Sequence, residues 1–285
     1  MRIIRLANFV APHSGGLRTS LAELGAGYLA AGHEPVLVIP GDRDGDELTA
    51  QGRVITLRAP RVPFTSGYRV LWRRRRLARL LAALRPDALE VSDRTTLRWT
   101  GGWARGHGVP AVMVSHESVT ALLKLTLLGP GRHAAGLPVR LVVAGDGPLR
   151  ARLVRRAARA GLPVTFAGFL SGRADLAALL ASADVAIAPG PAETFGLAAL
   201  EALACGTPVV VSAESALPEV VGDAGASVPG EDLAAGVRAV LAWPERSRRA
   251  AARARAEQYD WGAAARGFLV AHGATDSAAI RRRSA

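Results

Sequence analysis

The sequence predicts a two-lobed α/β protein in which each lobe is a doubly wound, mainly parallel sheet. Two observations predict it. Short runs rich in Val, Ile and Leu alternate with longer segments of helical spacing, and the whole rhythm is played twice along 285 residues. The composition agrees: 49% of the residues are apolar but only 5% are aromatic, which suits an Ala/Val/Leu-packed α/β core better than a β-sandwich.

In the first half the strand candidates are Arg2–Val10, Pro35–Pro40, Asp87–Ser92 and Pro110–His116, with helices expected at Thr19–Ala31, Tyr68–Leu84 and Thr96–His107. In the second half the strands are Val139–Gly145, Pro163–Gly168, Asp184–Pro189 and Pro208–Ser212. Helices are expected at Leu149–Ala160, Ala174–Ala181, Gly196–Cys205 and, more loosely, Asp232–Gln258. Between the halves, "SVTALLKLTLLGPGRHAAGLP" (Ser118–Pro138) starts in helical register, breaks at Gly-Pro-Gly and holds no strand. The lobe boundary is placed there, giving residues 1–123 and 124–285. The charged tail "AAIRRRSA" reads as a frayed end.

Several classes are excluded by composition. The single cysteine, Cys205, rules out an intrachain disulfide and a cysteine metal cluster, which favours a reducing, cytoplasmic setting. The opening "MRIIRLANFV" carries an arginine inside its short apolar run and breaks at "APHSGG", so it reads as a first strand and not as a signal peptide. No apolar run approaches the ~18 residues a membrane span needs. The net charge is +12 and almost wholly arginine, Lys124 being the single lysine. That charge is either a solvated surface or the mark of an anionic partner. The segment "YRVLWRRRRLARLLAALRP" (Tyr68–Pro86) concentrates it: Val70, Leu77, Leu81 and Leu84 form one apolar stripe, and Arg73 to Arg76 and Arg79 lie mainly elsewhere. It is either a core-facing helix with a solvated basic face or a dock for anionic lipid. The arginines lack interleaved aromatics, so no nucleic-acid partner is expected.

Three loops sit where open α/β sheets bind ligands, after the carboxyl ends of strands. "PHSGGLRTS" (Pro12–Ser20) follows the first strand, and its paired glycines let backbone N–H groups approach an anion at a helix start. "AGDGP" (Ala144–Pro148) and "AGFLS" (Ala167–Ser171) end two later strands, and each also reads as a plain turn. None is a GxGxxG fingerprint.

"GPAETFGLAALEALACGTPVVVS" (Gly190–Ser212) carries two glutamates in an apolar setting. Eight residues of helix between Glu193 and Glu201 span roughly 12 Å. Hydrolytic carboxylate pairs need ~5–5.5 or ~6.5–9.5 Å, so the spacing argues against a glycosidase dyad. Two readings remain: one elongated ligand held at both ends with the helix start facing a phosphate, or ordinary helix surface with Glu193 complementing the dipole.

"ETFGLAALE" resembles the E-x7-E motif of family 4 retaining GT-B glycosyltransferases, and "DVAIAPGPAETFGLAALEALACGTPVVVS" is similar to that family throughout. So are "RLVVAGDGPLRARL", "VTFAGFLS" and the early "GGLRT". "RLANFVAPHSGGLRTSL", "LRPDALEVSDRTTLR" and "VMVSHES" resemble, more narrowly, the GDP-mannose-dependent phosphatidylinositol-mannoside mannosyltransferases. The resemblance implies a GT-B fold of two Rossmann-like lobes, the first on the acceptor side and the second binding a nucleotide sugar. It implies that Glu193 binds the donor hexose and that His116 lies beside the transferred sugar. Phe195, Gly196 and Leu197 would offer backbone N–H groups to that sugar and its diphosphate, and Glu201 would hold the ribose. Gly15 and Gly16 would face the diphosphate, and Gly168 and Phe169 the guanine. No cofactor or metal is implied: GDP-mannose is a substrate, and configuration is retained by attack on the face the nucleotide leaves. The acceptor would be lipid-linked at an anionic membrane surface, placing the protein in the cytoplasm or peripherally on the inner face of the plasma membrane.

One part of the pattern is missing. The family opens its second lobe with a strand and an Arg-x-x-x-Glu-Lys segment that clamps the diphosphate, and nothing here matches it. The chain is shorter than a full member by roughly 100 residues, which implies an internal deletion and a second lobe without its first strand. Lys124 stands in a different context and takes no clamp role. Two further readings stay open: a family 4 transferase with another nucleotide sugar and a soluble acceptor, and a non-catalytic remnant that binds nucleotide or lipid.

Overall fold

The computed structural model describes the chain except for residues 11–14, 63–66, 94–95, 115–138, 147–149, 171, 191–194, 230–231 and 275–285. It divides into two compact units, Met1–His116 with Tyr259–Ala285, and Glu117–Gln258.

The first unit is built on β1 (Arg2–Leu6), β2 (Glu34–Gly41), β3 (Gly45–Thr49), β4 (Gly52–Arg58), β5 (Ala88–Val91) and β6 (Ala111–Met113), in the sheet order β3-β4-β2-β1-β5-β6. All neighbours are parallel except the β3–β4 hairpin at the edge. Alternation along β1 dictates the layers. Ile4 and Leu6 face a core with Val36, Val38, Leu89 and Val91, covered by α2 (Arg74–Leu84) and α3 (Trp99–Gly106). Ile3 faces the other way, toward α1 (Gly15–Ala30) and α10 (Trp261–Ala271), in a cluster with Leu24, Tyr28, Ala88, Ala265 and Leu269.

That last cluster corrects the expected division at residues 123 and 124. Residues 261–271 return to the first unit, because Ala265 and Leu269 make one apolar face that packs with Ile3, Leu24, Tyr28 and Ala88 of β1, α1 and β5. Two further differences are local. The helix expected over Tyr68–Leu84 begins at Arg74, since Arg61 and Arg69 form an antiparallel bridge and hold the preceding residues extended. The hairpin of β3 and β4 was not expected; β3 is almost entirely exposed and so carries no alternation to read.

Beneath α1 and α10 lies a buried ionic cluster. Arg5 donates from Nε to Glu90 Oε1 at 3.2 Å and from Nη1 to the Leu21 carbonyl at 2.6 Å, and the Tyr28 hydroxyl donates to Glu90 Oε2 at 2.9 Å. His272 Nε2 stands 3.6 Å from Glu90 Oε2, beyond hydrogen-bond reach. Burial pushes the Glu90 carboxyl up, but the Arg5 charge, with His272 and Tyr28, outweighs it and holds the group below its ordinary value.

The second unit has two separate parallel sheets. One pairs β7 (Leu141–Ala144) with β8 (Val164–Gly168); the other runs β11-β10-β9, from β9 (Ala186–Ala188), β10 (Val209–Ser212) and β11 (Gly225–Val228). A doubly wound lobe in the order 3-2-1-4-5-6 has its first strand between these two sets, and among the described residues none forms a strand there. The consequence is visible in packing. No described residue from Val139 to Gly190 is buried, although α4 (Arg150–Arg159) and α5 (Arg173–Ser182) flank the strands there. The core of this unit sits instead around β10, with Leu203, Val209, Val211, Leu217 and Val221 against α6 (Leu197–Ala204) and α7 (Leu217–Val221). A second cluster, Val210, Val228, Val237 and Val240, lies under α8 (Leu233–Leu241).

The helix expected over Asp232–Gln258 is two helices, α8 and α9 (Glu245–Ala256), with Pro244 before the second. The arginines of α9 reach the C-terminal carbonyls of its neighbours. Arg249 donates to Ala181 in the last turn of α5 and to Ala183 just after it, Arg253 to Ala204 of α6, and Arg255 to Val220 of α7. Each bond satisfies an acceptor that a helix end leaves open. Part of the basic excess is therefore structural.

Candidate functional site

In the second unit, residues expected from the sequence to face a ligand stand beyond the carboxyl ends of strands. Gly168 closes β8 in a left-handed conformation (φ 72°), and the Gly145 N–H at the end of β7 donates to its carbonyl at 2.7 Å. Phe169 follows with 60% of its surface exposed. The Gly-Phe pair thus turns an aromatic ring outward at the sheet edge, which only a residue tolerating positive φ allows.

Gly196 makes the second turn of this kind. It caps α6 with φ 78° and no side-chain hydrogen bond closes the helix start. The first N–H groups of a helix have no intrahelical acceptor, and the helix dipole adds partial positive charge there. Phe195, just before, is 43% exposed.

Glu201 lies one turn into α6. Burial of its carboxyl pushes the acid up, and the Arg173 guanidinium partly offsets this. Arg173 opens α5 directly after the β8 turn, so this attraction links the Gly168–Phe169 group with the α6 group. Arg173 is one arginine among many in the sequence and carries no signal until folding sets it beside a carboxylate.

Gly15 and Gly16 belong to the first unit and form the first turn of α1, four residues before the expected start, with no acidic side chain there. Their amides are helix-terminal groups and not free loop groups. His116 and Glu193 lie outside the described residues, as do Gly147 and Pro148 of the "AGDGP" turn. The Glu193–Glu201 separation is therefore not part of the geometry. Among the described residues no three His, Cys, Asp or Glu side chains are grouped as metal ligands.

Two family models divide the chain between them: a glycosyl transferase 4-like domain over residues 15–132 and glycosyl transferases group 1 over residues 132–257. A GDP-mannose-dependent alpha-(1-6)-phosphatidylinositol dimannoside mannosyltransferase of Mycobacterium tuberculosis is 41% identical over 370 positions, covering 96% of each chain. The chain is a family 4 GT-B glycosyltransferase. It is of the hexosyltransferase class.

That alignment of 370 positions exceeds the 285 residues of this glycosyltransferase, so at least 85 of its positions are gaps here. The alignment thus agrees with a chain shorter than a full member, as the missing segment implies. A D-inositol 3-phosphate glycosyltransferase of Mycolicibacterium smegmatis is 40% identical over 144 residues, 46% of this chain and 33% of the relative. Among solved structures, Anabaena HepE in complex with UDP and glucose aligns with TM-score 0.64 at 17% identity, covering 96% of this chain and all of that one. Sucrose-phosphate synthase from Thermosynechococcus elongatus aligns with TM-score 0.62 at 18% identity, over 94% and 97%. At such identities the likeness is one of fold.

Proposed function

We propose that this glycosyltransferase takes mannose from GDP-mannose and acts on a phosphatidylinositol mannoside or a similar lipid-linked acceptor. The observation that carries the reading is the 41% identity, sustained over 96% of both chains, to a relative named for that reaction. In this reading the α6 start takes the donor diphosphate, Glu201 the ribose and Gly168–Phe169 the base, with Glu193 on the hexose and His116 beside the reacting carbon. Gly15 and Gly16, at the start of α1, are read as anion-binding amides. The donor is a substrate, and no metal or cofactor enters the chemistry.

The acceptor side of the reading is supported by α2. Its apolar residues Leu77, Leu81 and Leu84 are buried, so its arginines are turned out. Trp72 stands 54% exposed with the Arg73 guanidinium 5.4 Å over its ring. An amphipathic ring beside several arginines suits the headgroup level of an anionic leaflet. No helix among the described residues is long and apolar enough to cross a membrane.

The absence of the Arg-x-x-x-Glu-Lys segment from the sequence favours a weakened catalyst. Loss of two charge-assisted diphosphate contacts, each about 1.5–3 kcal/mol, lowers transfer by roughly a hundred- to ten-thousand-fold. Calorimetric titration with GDP-mannose, GDP and UDP-glucose tests the donor, and transfer of labelled mannose to a phosphatidylinositol mannoside tests the reaction. Selective guanine-nucleotide binding with slow transfer is the expected result. Preference for UDP-glucose sinks the donor assignment, and binding of none of the three leaves a remnant.

A further inference from the structure

In the first unit the strand order reverses at β1, so the crevice for a ligand lies beyond the carboxyl ends of β1 and β5. Asn8 stands there, 1% exposed, and its side chain is fully engaged. Nδ2 donates to Asp93 Oδ2 at 2.8 Å and to Thr96 Oγ1 at 2.7 Å, while Oδ1 accepts the Leu71 N–H at 2.8 Å. Thr96 in turn donates to Asp93 Oδ2, from Oγ1 at 2.6 Å and from its backbone N–H at 3.1 Å. Donors and acceptors match throughout, which fixes the orientation of the amide. Three chain segments are thereby tied to one side chain: the exit of β1, the exit of β5 and the approach to α2.

The next residue shows what the tie holds. Phe9 has φ 59°, in the left-handed region that an aromatic residue rarely adopts. Its N–H donates to the Arg69 carbonyl at 3.2 Å, and its ring meets Tyr68 edge-on with centroids 6.0 Å apart. A backbone held in this way persists only where its surroundings over-determine it, and such places gather at ligand sites.

We propose that Asn8 is a positioning residue for the acceptor. It sets the Phe9 backbone and the Asp93 and Thr96 side chains as one wall of the first unit's crevice, against which the hydroxyl-rich headgroup of a mannosylated inositol lipid is held. Asn8 does not touch the acceptor, since its polar atoms are spent on the wall. The inference rests on the lipid-acceptor reading above.

The test uses the full chain with Asn8→Asp, Thr96→Val and Thr96→Ser, titrated separately with GDP and with a short-acyl, water-soluble phosphatidylinositol mannoside. Asn8→Asp sets a carboxylate against Asp93, Thr96→Val removes the bridging hydroxyl at nearly constant volume, and Thr96→Ser keeps it. The expected result is a tenfold or greater loss of lipid-analogue affinity in the first two, GDP affinity within twofold of the parent, and recovery in Thr96→Ser. Unchanged analogue binding in Asn8→Asp and Thr96→Val overturns the inference. Equal loss of both ligands together with a lowered melting temperature overturns it too, because the cluster then supports folding alone. A parent chain that binds GDP but not the analogue sinks the lipid-acceptor reading, and the inference with it.

Discussion

At the scale of single residues, Glu201 and Glu90 separate function from stability. Glu201 has its acid raised by burial, so its ionised form adds nothing to folding. Glu201→Gln is expected to keep or slightly raise the melting temperature while donor affinity falls about tenfold or more, read by calorimetry. Because the acid is raised, donor affinity should begin to fall on acidification at a pH above the ordinary glutamate range. Glu90 has the opposite sign. Its folded value is depressed, so its contribution is present above the unfolded value and is lost as pH falls through the folded one. Glu90→Gln leaves Arg5 buried without its charge partner and is expected to cost about 3–5 kcal/mol in urea unfolding at neutral pH. That deficit relative to the parent should shrink under acid.

At the scale of elements, two arginine-rich helices carry similar sequences and different work. On α9 the guanidinium groups cap neighbouring helix ends, so Arg255→Ala should lower the melting temperature by releasing the carbonyls of Glu219 and Val220. A loss of about 1–2 kcal/mol is expected by thermal unfolding. On α2 the exposed arginines hold few structural bonds, Arg76 to Asp44 being an exception. Replacing Arg73, Arg74, Arg75 and Arg79 by Ser should leave helicity by circular dichroism unchanged. It should reduce sedimentation with anionic liposomes, at about 1 kcal/mol per arginine. Equal binding of the parent to neutral and anionic liposomes would exclude an electrostatic dock.

At the scale of the whole molecule, the second unit is uneven. Its β9–β11 sheet has a packed core, whereas Val139–Gly190 has no buried residue among those described. Amide exchange should therefore be faster in β7 and β8 than in β10 by several orders of magnitude, read by hydrogen–deuterium exchange mass spectrometry. Comparable protection of both would mean that the two sheets are joined in solution, and transfer rates near those of the mycobacterial relative would then be expected as well.

The sequence by itself determined the alternation of strands and helices, the doubly wound class and the family. These rest on local period, and on motifs whose residues are contiguous, such as "ETFGLAALE" and "VTFAGFLS". It also marked the deletion, since a missing segment is a linear property. Only the tertiary structure decided which unit owns the last helix, because the apolar face of Ala265 and Leu269 reads the same whichever sheet it covers. It likewise divided the arginines into helix caps and exposed ones, set Arg173 against Glu201, and gathered Asn8, Leu71, Asp93 and Thr96 at one crevice. Up to 88 residues separate the members of that last cluster, and no pattern within a window of helical or strand length records such a meeting.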